Sequence, residues 1–178
     1  TLTMGTTQQN QFVQQHSEKV FHEFPDGAET FPDPRPNNIG GWIYVSNSEV
    51  PEEGKGGVGA ITFNKEGNVI DYSKLLDGTT MNCGGGPTPW NTWISCEEVE
   101  KEGQIYQIDP TGYNVPQLLT LGIDGGRWES FAYDVRNRTA PHFFVTEDVK
   151  KGTVRRYTPN LEEIDWTDDA TARNMLHG

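Results

Sequence analysis

The sequence predicts an all-β chain, and three observations carry that prediction. The 178 residues include 20 glycines and 11 prolines, a turn-rich composition. Apolar stretches are short and end at Gly, Asn, Asp or Pro, and helical periodicity is weak everywhere except over 168–176. One pattern, an aromatic or apolar strand ending in acids and then Val, recurs three times at nearly constant spacing. Hydrophobic residues make up only 33%, but aromatics at 11% with five Trp exclude a disordered chain.

Taken in order, residues 1–36 read as a polar, Pro-rich lead-in, with glutamines from Gln8 to Gln15 and prolines from Pro25 to Pro36. Residues 37–178 read as repeated strands. The recurring segment is Trp42–Val50, then Thr92–Val99, then Phe143–Val149. Glu49 and Glu98 are 49 residues apart, and Glu98 and Asp148 are 50 apart. A second strand follows each, over 57–64, 103–109 and 152–158, and two of these run on through a turn into a third strand at 69–72 and 117–120. The segment Glu129–Tyr133 reads as a strand completing the second unit.

A four-stranded unit recurring about every 50 residues is the signature of a β-propeller blade. The chain then holds three to four blades of a six-bladed propeller, as a fragment of a longer domain or as a small and unusual propeller. In that architecture equivalent strand ends converge. Glu49, Glu98 and Asp148 would meet, with Glu97 and Glu147 beside them. Carboxylates gathered so closely repel unless they are protonated or hold a cation, and several hard oxygens suit Ca²⁺.

The run Asn82-Cys83-Gly84-Gly85-Gly86-Pro87 is no phosphate loop, because no Gly-Lys-Ser/Thr follows. Its glycines let backbone approach a ligand closely. Cys83 and Cys96, 13 residues apart, are open to a disulfide, to free thiols or to a soft metal ligand. Arg127 follows two glycines and is ringed by acids, a setting suited to bidentate phosphate binding. The Arg155-Arg156 pair lies mid-strand, so one side chain faces solvent. His16, His22, His142 and His177 are scattered, and no HExxH, CxxC or GxSxG element occurs, so any catalysis would come from metals. The net charge of −12 opposes nucleic acid and anionic membranes. No apolar run reaches transmembrane length, and no signal peptide is visible at Thr1–Gly5.

Ser46-Asn47-Ser48-Glu49, the stretch from Asn82-Cys83 to Cys96-Glu97-Glu98, Gly126-Arg127-Trp128-Glu129 and Val145-Thr146-Glu147-Asp148 together resemble the PhoX family of bacterial alkaline phosphatases. The resemblance runs from about Gly40 to Pro159 in the family's order. It implies a β-propeller that hydrolyses phosphomonoesters outside the cytoplasm, in an extracellular or periplasm-like space. It also implies Ca²⁺ and Fe³⁺ held by carboxylates and a cysteine. The ligands carried over are Glu49, Cys83, Glu97, Glu98, Glu129, Glu147 and Asp148, with Arg127 and Glu129 in the catalytic role. The chain is shorter than active members, and its Gly-Arg-Trp-Glu-Ser spacing differs from theirs. The alternative reading is a non-catalytic, calcium-stabilised propeller acting as a binding or scaffold module.

Overall fold

The computed structural model describes residues 21–162, 165 and 168–176. Among them the chain is all-β. Eleven strands follow one another as β1 (Pro25–Pro32), β2 (Trp42–Ser48), β3 (Gly56–Phe63), β4 (Val69–Thr79), β5 (Asn82–Pro87), β6 (Trp93–Val99), β7 (Ile105–Ile108), β8 (Gln117–Leu118), β9 (Gly126–Asp134), β10 (His142–Glu147) and β11 (Val154–Tyr157). A single helical turn α1 (Asp169–Ala172) and a 3-10 turn over Arg173–Leu176 occupy the one region with helical periodicity.

The strands form three antiparallel units, each built by consecutive pairing. The first is the sheet β1-β2-β3-β4. The second is β5-β6-β7-β8 and the third is β9-β10-β11. Second and third units are joined edgewise where Glu98 and Val99 of β6 pair with Arg127 and Gly126 of β9. Among the described residues the sheets do not close on themselves.

Two expectations are corrected here. Residues 25–32, read as lead-in, form the first strand β1, because the prolines stand at its ends and leave the pairing with β2 continuous from Ala28 to Phe31. Glu129–Tyr133, read as the last strand of the second unit, belongs to β9 and opens the third, since its ladder runs to β10. The triple glycine lies within a strand, β5.

The core lies in two layers between successive units. Ile43, Val45, Val58 and Ala60 of the first sheet pack against Trp93 and Ile108 of the second. The opposite face of that same second unit, with Trp90, Ile94, Cys96 and Ile105, packs against Phe131, Phe143 and Val145 of the third and against Met175 and Leu176. Alternation of side chains along β6 makes this possible: Trp93 serves one layer, Ile94 and Cys96 the other.

The inner strands β1, β5 and β9 lie side by side and approach closely. A side chain on Gly27 would meet the Cys83 carbonyl oxygen at 2.9 Å, and one on Gly84 would meet the Glu129 carbonyl oxygen at 1.9 Å.

Candidate metal centre

Each unit turns from its second strand in the same way. The backbone N–H of Glu49 donates to the Phe24 carbonyl at 2.8 Å, that of Glu98 to Met81 at 2.9 Å, and that of Asp148 to Arg127 at 2.9 Å. The three acids recognised from their spacing are therefore true structural equivalents. Phe24 and Met81 also share a left-handed backbone, with φ of 47° and 48°.

A second set of equivalents was not visible in the sequence. The β1–β2 ladder jumps from Pro25↔Ser48 to Ala28↔Ser46, so Asp26 and Gly27 together oppose Asn47. The β5–β6 ladder jumps from Asn82↔Glu97 to Gly85↔Ser95, so Cys83 and Gly84 oppose Cys96. The β9–β10 ladder jumps from Trp128↔Glu147 to Phe131↔Val145, so Glu129 and Ser130 oppose Thr146. Each inner strand thus carries a β-bulge at one height, a device that re-aims a side chain. The first residues of the three bulges are Asp26, Cys83 and Glu129.

These side chains meet. The Cys83 thiol lies 3.1 Å from Glu129 Oε2 and 3.4 Å from Asp26 Oδ2. Ligand atoms of Asp26, Glu49 and Cys83 fall within 4.8 Å of one another, as do those of Cys83, Glu98 and Glu129. Cys83 belongs to both groups, so five donors form one continuous cluster.

Its electrostatics are those of a place short of positive charge. Burial raises the Glu49 pKa, and the neighbouring Asp26 and then Glu98 raise it further, against a hydrogen bond from Cys83. Burial pushes the Cys83 thiol far up, and Glu129 and Asp26 add to the shift. A cation would reverse both effects. One thiol among carboxylates is a donor set that fits metal ions.

Arg127 stands at the edge of the cluster. Its guanidinium is ion-paired with the buried carboxylate of Glu98, with Nε 3.0 Å from Oε1. Glu98, Asp148 and Glu100 all hold its pKa up. About a third of the side chain remains exposed.

Of the residues expected at the site, Glu49, Cys83, Glu98 and Glu129 come together, and Asp148 reaches only the field of Arg127. Glu97 and Glu147 do not join them. Neighbours on a strand point to opposite faces, and both acids are used locally. Glu97 accepts the backbone N–H groups of Thr80 at 2.8 Å and Gln104 at 2.9 Å. Glu147 accepts the Thr153 hydroxyl at 2.5 Å and faces Arg155, which also lies over the Trp128 ring. Cys96 and Cys83 are both free thiols, and Cys96 is buried in the core. Asp26 is the functional candidate that sequence reasoning missed.

Comparison with known proteins bears on this geometry. The profile of the family described as alkaline phosphatase PhoX matches residues 63–148. That stretch contains Cys83, Glu98, Arg127 and Glu129, and leaves Asp26 and Glu49 outside it. The chain is also similar to the solved structure of Pseudomonas fluorescens PhoX in complex with vanadate, a transition state analogue, with a TM-score of 0.70 at 15% identity. The similarity covers 89% of this chain and 45% of that one. No curated protein sequence matches the chain. The resemblance to PhoX read from the motifs is therefore shown, by profile over residues 63–148 and by fold over 89% of the chain.

Proposed function

We propose that this chain carries the metal-binding half of a PhoX-type phosphomonoester hydrolase, with its three units as successive blades of a propeller. The observation that carries the reading is the position of Cys83 Sγ between Asp26 and Glu129, with Glu49 and Glu98 completing the cluster. A thiolate favours a transition metal, here Fe³⁺, and the carboxylates favour Ca²⁺. Asp26, Glu49, Cys83, Glu98 and Glu129 would hold these ions, which when bound polarise phosphoryl oxygens and activate an oxygen nucleophile.

The chain's own residues have three tasks in this reading. Cys83 gives up its thiol proton when metal is taken up, with Glu129 as the nearest acceptor. Glu98 keeps Arg127 aimed at the edge of the cluster. Arg127 leaves that partner, wholly or in part, to grip a phosphate dianion. The family resemblance supports a site of action outside the cytoplasm; detection of the protein in a cytoplasmic fraction alone would count against it.

A specific observation favours a second reading. Arg127 is already paired with Glu98, and the chain spans 45% of the solved PhoX. A calcium-stabilised binding module without catalysis fits both facts. Hydrolysis of p-nitrophenyl phosphate with Ca²⁺, abolished by a chelator, supports the enzyme. Absence of turnover together with calcium but no iron by elemental analysis supports the module.

A further inference from the structure

Cysteine has one side-chain torsion, so the position of its backbone sets the position of its sulfur far more tightly than for a glutamate. What fixes the Cys83 bulge therefore fixes the donor. Gly27 lies against the Cys83 carbonyl on one flank, and the Glu129 carbonyl lies against Gly84 on the other. Between units, the Asn47 side chain reaches across from β2. Its Nδ2 donates to the Cys83 carbonyl at 2.7 Å and to the Gly84 carbonyl at 2.7 Å. Its Oδ1 accepts the Trp93 indole N–H at 2.9 Å. Asn47 is fully buried. The amide orientation is unambiguous, since the flipped form would press Oδ1 against two carbonyl oxygens.

We infer that Asn47 is a positioning residue for the metal centre: it locks both carbonyls of the Cys83–Gly84 bulge and so holds the sulfur at its place among the carboxylates. The inference rests on reading Cys83 as a metal ligand. The corresponding position in the second unit, opposite its own bulge, is Cys96, and a thiol offers one weak donor at most. The double clamp is thus found on the bulge that carries the thiol, where a single torsion leaves no room to adapt. Glu129, with a longer side chain, needs no such lock. Asn47 touches no reacting atom, and its effect passes through backbone.

The test replaces the two N–H donors at constant shape, by Asn47→Asp, and uses Co²⁺ as the probe under reducing conditions. Two readings are taken: Co²⁺ affinity, and the thiolate-to-cobalt charge-transfer absorption at saturating metal, with near-ultraviolet circular dichroism as the check of fold. Wild type shows the band and Cys83→Ser lacks it. The variant binds about 10- to 100-fold more weakly, the usual effect of losing a group that orients a ligand, and its band is weakened or shifted while the fold signal persists. An unchanged band and affinity in N47D overturn the inference and leave the metal centre standing. A wild-type chain without the band removes the metal reading and the inference together. If N47D does not fold, the same readings on Trp93→Phe decide: a weaker, shifted signal supports the clamp, and an unchanged one overturns it.

Discussion

Alanine at Gly84 tests whether close approach of the inner strands is what assembles the site. Gly84 lies in the β5 bulge, and a Cβ there would stand 1.9 Å from the Glu129 carbonyl oxygen and 2.9 Å from its carbon. Ordinary carbon–oxygen contact needs roughly 3.3 Å, so β5 and β9 must part by about 1 Å or more. Both clashing atoms are backbone and cannot rotate away. Overpacking of this kind costs about 1–3 kcal/mol, and this site belongs at the top of that range. With a urea m-value of about 1–3 kcal/mol/M, the midpoint falls by about 1 M or more. The same movement draws Cys83 from Glu129, so metal uptake falls with stability. Two companions grade the argument. Gly27→Ala, at 2.9 Å from the Cys83 carbonyl oxygen, costs less. Gly54→Ala meets nothing within 4 Å but has φ of 72°, so it carries only the left-handed penalty of about 1–2 kcal/mol and leaves metal uptake intact. A Gly84→Ala protein with wild-type midpoint and wild-type metal content would refute the close-packed assembly.

Glu97 and Glu98, adjacent in sequence, should separate cleanly. Glu98→Ala lowers bound calcium and, with calcium present, melting temperature, because ligand binding to the native state is stability. Glu97→Gln costs about 1 kcal/mol through weakened bonds to Thr80 and Gln104 and leaves metal stoichiometry unchanged; equal loss of metal in both would put Glu97 back in the site. The pH response of the metal-free chain follows from Glu49 and Glu97, whose pKa values burial raises above the ordinary 4.5. The folded state then binds protons more tightly than the unfolded, so this stability is complete below the ordinary value and is lost as pH rises through the raised ones. Asp33 works in the opposite sense: burial opposes its ionisation, but hydrogen bonds from Arg35 and Asn38 prevail and lower its pKa. Its contribution is present above 3.8 and lost as pH falls through the lowered value. Melting in a chelator should therefore peak in mildly acid solution, and a midpoint that climbs steadily to neutrality would contradict the assignment.

The sequence made the middle strands legible because β2, β6 and β10 carry aromatic and branched residues at fixed distance from their acids. The inner strands β1 and β5 lacked that signal. β1 is bracketed by prolines and β5 begins Asn-Cys-Gly-Gly-Gly, so neither read as a strand, although small residues are what their close approach demands. Asp26 stayed hidden for a further reason. It precedes Glu49 by 23 residues, whereas Cys83 precedes Glu98 by 15 and Glu129 precedes Asp148 by 19. Connections of varying length erase the period that exposed the outer acids. Glu97 and Glu147 were drawn in by adjacency to true equivalents, an error that strand alternation corrects. A readable trace of the bulges did exist: Asp26-Gly27 and Cys83-Gly84 are both a donor followed by Gly.

The repeat also says which residue is not part of it. Phe24, Met81 and Arg127 occupy one position, each giving its carbonyl to the N–H of the acid that ends the second strand. Two of the three are apolar, so the scaffold has no need of a cation there. Arg127 is an addition to a repeated frame, placed within reach of the candidate metal cluster and still partly exposed. That argues for a ligand role rather than a structural one. Arg127→Met returns the position to what the second unit already tolerates. The variant should fold, melt close to wild type and retain metal, while inorganic phosphate and vanadate bind far more weakly to the metal-loaded chain. Isothermal titration of either anion decides it. If Arg127→Met unfolds the protein but Arg127→Lys does not, the positive charge is serving Glu98; if anion binding survives in a folded Arg127→Met, the phosphate grip lies elsewhere and the catalytic reading loses its anchor.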